Sequence, residues 1–161
     1  MELPVLEKVP SSKYRVRFQD CDPMGHLNNS RYIDYVLNAR EDHLESAYDL
    51  RLSDFIKQGY GWVVSSHEVA YLKPALYNEQ IEIVTSLAEF GENHVLVEGL
   101  LYDSTRSQLK SILWTRYVFV SVRTGKKEKL TVELEQLFSQ ILNERVQVPN
   151  GIQYRLNELR K

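Results

Sequence analysis

FQDCDPMGHLNNSRYIDYVLNAR, residues 18–40, is the stretch whose reading decides the fold. Pro23 has no N–H for a sheet ladder and Gly25 invites a backbone turn, so residues 20–29 read as a loop. Asn28 and Asn29 are favourable helix N-caps. After them apolar residues recur at Tyr32, Ile33, Val36, Leu37, Leu44, Ala47 and Tyr48, with Arg31, Asp34, Asn38, Glu41 and Glu45 opposite. This spacing predicts a long helix over about 30–48, its apolar stripe broad in the first turns, as a helix needs if a sheet curls around it.

Upstream of the loop, KYRVRFQ (13–19) sets Tyr14, Val16 and Phe18 against Lys13, Arg15 and Arg17, the period of a half-buried strand. Residues 1–12 carry two prolines and no period, and read as an arm. Downstream, 51–58 reads as a short helical turn closed by Gly59. The period then changes to two, giving strands over 61–72, 80–90, 94–102 and 109–122, with Ile81, Ile83 and Leu87 on one face of the second. Gly91-Glu92-Asn93 and Asp103-Ser104-Thr105 are short and turn-like, so these strands are expected to be antiparallel neighbours. Thr131 can cap a last helix bearing Leu134, Leu137, Phe138, Ile141 and Leu142, and the tail around Pro149-Asn150-Gly151 has no strong pattern. One antiparallel sheet with an apolar face needs a cover, and the helix at 30–48 is the candidate. The expected class is α+β, a sheet wrapped around a helix.

With 161 residues the chain suits one domain, with its core at about 13–122 and an extension at 131–161. A net charge of −2 supplies no basic field for a nucleic-acid backbone, so no nucleic-acid partner is expected. No apolar run is long enough to span a bilayer and no basic-then-apolar leader opens the sequence, so no membrane partner and a cytoplasmic location are expected. The one cysteine, Cys21, excludes an internal disulfide and a cysteine zinc cage. It reads as a small packed side chain, or as a thiol activated by the nearby His26 or helix N-terminus. His43, His67 and His94 have no ligand-like spacing, so no metal or other cofactor is expected.

DCDPMGHLNNSRY (20–32), at the end of a strand and the start of the wrapped helix, resembles the signature of hotdog-fold acyl-CoA thioesterases of the 4-hydroxybenzoyl-CoA thioesterase type. It is also similar to acyl-ACP thioesterases, in which a His-x-Asn-Asn loop precedes the same helix. YLKPA (71–75) is similar to the end of that family's long second strand, and the element order agrees over most of the chain. The resemblance implies a hotdog fold and hydrolysis of an acyl thioester of coenzyme A or acyl carrier protein. It places the catalytic carboxylate at Asp22 and the polarising backbone N–H groups near Asn28 and Asn29. It matches Gly25 to the loop glycine and His26 and Asn28 to the His-x-Asn pair, and Gly25, Tyr32 and Lys73 are expected beside the substrate. Many relatives have a glutamate where this chain has Asn38. Hotdogs of this family pair so that two sheets become one, which implies a homodimer or a tetramer of dimers. The strands at 63–71 and 109–122 have apolar residues on both faces, more than one helix covers.

The chemistry agrees with these roles. Thioester hydrolysis needs an attacking oxygen, donors for the oxyanion and a dry slot for the acyl chain. A carboxylate in a turn ahead of a helix supplies the first, and the unsatisfied N–H groups of the helix start supply the second. His26 can bond the carbonyl or the water, or act as acid to the leaving thiolate. Lys73 and the basic turn at 123–129 can attract coenzyme A phosphates. An aspartate before a helix is also an ordinary turn former, and Asp20 reads as a loop-fixing acceptor. Glu41, on the polar helix face, is a minor rival for the catalytic carboxylate. Two other activities stay open: a hotdog enoyl-thioester hydratase or dehydratase using an Asp and His pair, and a non-catalytic acyl-thioester binder, for which Asn38 is the hint.

Overall fold

The computed structural model describes residues 4–161. Strand β1 (Ser11–Arg15) leads through a short 3-10 turn, Phe18–Asp20, and a loop into α1 (Asn29–Tyr48). Helix α2 (Leu52–Lys57) follows, then β2 (Tyr60–Tyr71), β3 (Gln80–Phe90), β4 (His94–Asp103) and β5 (Leu109–Ser121). Helices α3 (Val132–Ile141) and α4 (Gly151–Leu159) close the chain. The strands make one antiparallel sheet in the order β1-β3-β4-β5-β2, which curls around α1. This is the hotdog architecture that the resemblance implies. Among the described residues no helix is long and apolar enough to cross a membrane.

Helix α1 lays Tyr32, Val36 and Ala39 onto Ile81, Ile83, Leu101 and Leu113 of the sheet's concave face. The approach at β4 is close, and a Cβ on Gly99 would stand 2.2 Å from Val36 Cγ1. A larger residue there would lift the helix off the sheet. At the other end Leu134 and Phe138 of α3, capped by the Thr131 hydroxyl as expected, pack with Leu87, Val97 and Phe119.

Three differences from the sequence reading have physical causes. The first strand stops at Arg15 because the 3-10 turn breaks its period. Val16 is still buried, but Phe18 points outward, 78% exposed, with its edge against Tyr77. Ser11 and Ser12, read as part of an arm, belong to the sheet. The tail, unreadable in sequence, forms α4 and sets Leu156 and Val146 against Val84, Leu96, Leu100 and Trp114 on the convex face. Much of the second apolar face is thus covered by the chain itself. What stays bare is edge strand β2, where Val63 is 51% exposed.

Inside the wrap, His43 is 1% exposed, with Nε2 at 2.8 Å from Ser12 Oγ and Nδ1 at 2.7 Å from Thr85 Oγ1. Burial, and after it the Arg40 guanidinium, push its pKa down from 6.5 to about 4. Between these two values the unfolded chain binds the proton and the folded chain refuses it, so stability falls as pH falls through that window and is complete above it. The loss amounts to about 3 kcal/mol. Urea denaturation from pH 7 to 4 is expected to show this slope, and His43→Gln to flatten it. An equal slope in both proteins would assign the acid sensitivity elsewhere.

Candidate active site

Residues Cys21 and Leu27 bridge as a miniature antiparallel pair, and Asp22 and His26 close it through the Asp22 N–H on the His26 carbonyl at 2.8 Å. Pro23-Met24-Gly25 turns the chain. Gly25 sits at φ +75°, a left-handed position suited to glycine, and donates to the Asp22 carbonyl. The Asp22 side chain is folded into this turn. Its Oδ1 accepts the N–H groups of Met24 (2.9 Å) and His26 (3.0 Å), while Oδ2 has no hydrogen-bond partner among the described residues. One carboxylate oxygen fixes the loop, and the other is free of protein partners among the described residues.

The loop is pinned to the chain after β2. Leu27 N–H donates to Ala75 O, Tyr77 N–H to Gly25 O, and His26 bridges Leu76. That segment is held by Lys110, whose Nζ lies 3.0 Å from Pro74 O and 2.6 Å from Glu79 Oε1, while Glu79 Oε2 takes the Leu76 N–H. Lys110→Met strands the mostly buried Glu79 and frees this segment. It is expected to lower stability by about 2 kcal/mol and to reduce turnover with it, read by thermal melts and rates on one preparation.

A cleft of about 330 Å³ opens at the N-terminus of α1, lined by Asp22, His26, Asn29, Tyr32, Tyr71 and Lys73 among others. Five of the residues singled out in the sequence therefore meet. Asn28 does not join them: its side chain is the N-cap, accepting from Ser30 N–H (3.1 Å) and Ser30 Oγ (3.0 Å), and its own N–H donates to Asp20 O. Of the two N–H groups expected to face the substrate, only that of Asn29 has no acceptor among the described residues. Gly25 shapes the turn and is not on the cleft wall. Tyr32 lines it with a buried ring, its hydroxyl accepting the Ala75 N–H at 2.9 Å. Tyr71, not assigned a role from sequence, donates its hydroxyl to Asn29 O at 2.6 Å and stands edge-on to Tyr32. Its only signal was the YLKPA patch.

The other candidates lie elsewhere. Asp20 accepts the Tyr35 hydroxyl at 2.8 Å, the loop-fixing role expected of it. Burial, then the charges of Asp20 and Asp22, hold the Cys21 thiol above its usual pKa, which is the reverse of activation. Glu41 stands about 18 Å along α1 from Asn29 and lines a different cavity. Asn38 opens on a polar groove with Arg15, Arg17 and Asp34. The basic turn at 123–129 follows the far end of β5, and β2 runs about 36 Å between that end and Tyr71. None of its residues lines the cleft that holds Lys73.

A sheet curled around a helix, with a carboxylate and a free amide where that helix begins, places the protein among hotdog proteins built for acyl-carbonyl chemistry. Residues 16–156 match the Thioesterase-like superfamily, and the chain belongs to that family. It is similar to the long-chain acyl-CoA thioesterase FadM of Escherichia coli K12, with 21% identity over 81% of this chain and 98% of that one. Among solved structures it resembles the DHNA-CoA thioesterase from Staphylococcus aureus, with TM-score 0.77, 18% identity, and 83% and 90% of the two chains covered. It also resembles the 12:0-ACP thioesterase from Umbellularia californica, with TM-score 0.75, 15% identity, 86% of this chain and 52% of that one.

Proposed function

We propose that the protein is a cytoplasmic thioester hydrolase that cleaves an acyl-coenzyme A, or the same acyl group on a carrier protein, to the free acid and the thiol. The observation that carries this reading is the pairing in one cleft of an Asp22 oxygen without a partner and an Asn29 N–H without an acceptor. The carbonyl oxygen sits at Asn29, where the N–H and the positive end of the α1 dipole take up charge as the carbon becomes tetrahedral. Asp22 Oδ2 attacks that carbon to form an anhydride that water then cleaves to the free acid, or takes a proton from a water that attacks the carbon directly. The C–S bond breaks and the thiolate leaves with a proton, which His26 on the cleft wall can donate. Lys73 at the rim attracts the carrier's phosphates.

The acyl chain runs along α1, past Ile33 and Leu37, which follow Asn29 at four-residue steps and are half-buried, to a second cavity that Leu37 helps to line. The unpaired edge of β2 and its exposed Val63 and Val64 suit pairing with a second copy, giving at least a homodimer. Thiol release over a panel of acyl-CoAs and acyl carrier proteins tests the reading. Hydration of an enoyl thioester would consume substrate without freeing thiol, and a binder would do neither; either result would overturn it.

A further inference from the structure

The second cavity, of about 120 Å³, lies under the C-terminal half of α1 and is walled by Leu44, Phe55, Trp62, Leu87, Val97 and Phe138. In this mostly apolar wall stand two charges, the exposed Glu41 at the rim and Arg40, 5% exposed. Its guanidinium rests 5.7 Å from the centre of the Tyr48 ring and donates to Thr85 Oγ1 at 3.0 Å. No carboxylate forms an ion pair with it among the described residues, and burial lowers its pKa from the usual arginine value. A guanidinium carries five N–H donors. With Thr85 and Tyr48 as its partners this buried cation still has donors to give, and it is costly to keep beside a mostly apolar space unless that space receives something that accepts them.

We propose that this cavity receives the distal end of the acyl group, and that Arg40 selects chains ending in a carboxylate over chains ending in a methyl. The inference rests on the hydrolase reading and extends it to the substrate class. The size agrees: about 120 Å³ holds roughly four water-sized groups, enough for a carboxyl and its neighbouring methylene. The separation agrees as well. Asn29 to Arg40 is about 16 Å along the helix, the reach of roughly a dozen extended bonds. A carboxylate arriving there meets a planar fork able to bind it through two hydrogen bonds, in a mostly apolar setting.

The test compares dodecanedioyl-CoA with dodecanoyl-CoA on the full chain, and in parallel titrates dodecanoate and methyl dodecanoate against the fluorescence of Trp62 in the cavity wall. The expected result is a kcat/KM at least about tenfold higher for the dioyl thioester, through a lower KM. Arg40→Met brings that ratio to about one, and Arg40→Lys retains part of it. Should Arg40→Met fail to fold, the wild-type ratio decides by itself. A wild-type ratio near one, or one favouring dodecanoyl-CoA, overturns the proposal and leaves Arg40 solvated by water. If dodecanoate quenches Trp62 while its methyl ester does not and the thioester ratio is near one, the pocket's ligand is a free acid and the acyl-end assignment is overturned. If neither thioester is hydrolysed but the acid quenches selectively, the hydrolase reading fails and the carboxylate pocket stands.

Discussion

Asp22→Asn is expected to lower kcat/KM for thioester hydrolysis by about a thousandfold or more while the protein keeps its melting temperature. The choice of asparagine matters. An amide oxygen still accepts the N–H groups of Met24 and His26 that Asp22 Oδ1 now accepts, so the turn survives. What disappears is the charge and the second oxygen, and with them both the nucleophile and the base. Asp22→Ala removes the turn's acceptor too, so its loss mixes chemistry with loop geometry. Steady-state thiol release and a thermal melt on the same sample separate the two effects. An asparagine variant within tenfold of wild type would mean that Asp22 only shapes the loop and that the water is activated by another group, His26 first. A single turnover in heavy-oxygen water then distinguishes the two roles of the acid, since label recovered in Asp22 marks a covalent anhydride.

The parts of this arrangement that were legible in sequence are those written in local pattern. The period of 3.6 over 30–48 and the period of two over 61–122 located α1 and the four later strands to within a residue or so, because one face of each is buried and the other is not. Pro23 and Gly25 announced the turn through backbone constraints that need no partner. What was not legible depends on pairs distant in sequence. Nothing in Lys110 or Glu79 says that they meet across 31 residues to hold the segment on which His26 rests. Nothing local says that the Asn28 N–H is already given to Asp20 while that of Asn29 is not. Helix α4 escaped because its apolar residues, Ile152, Leu156 and Leu159, are few and scattered among charges that look solvated. One of those charges, Arg155, is instead directed into the protein.

Removing that arginine is expected to cost about 3–5 kcal/mol, a large share of a domain's stability. Arg155 of α4 grips Glu98 of β4 with Nε and Nη2 on the two carboxylate oxygens at 3.0 Å each, and Trp114 Nε1 donates to the same carboxylate at 3.0 Å. Glu98 is 2% exposed, on the convex face of the sheet, where its neighbours are mostly apolar. Arg155→Met leaves a carboxylate with no countercharge in that setting, and the chain can relieve it only by protonating Glu98 or by lifting α4 to admit water. The variant is therefore expected to recover stability as pH falls toward the carboxylate range, and to show faster amide exchange confined to residues 143–159 and the β4 and β5 positions beneath them. Glu98→Leu combined with Arg155→Met removes both charges and keeps the volume, and it should restore most of the loss, since a buried pair contributes little beyond an apolar contact of equal size. Trp114, left without an acceptor, sets the remainder at about 1 kcal/mol. Urea titrations of the wild type, the single variant and the double variant decide this. A double variant no more stable than Arg155→Met alone would show that α4 is held by the ion pair and not by Leu156 and its neighbours.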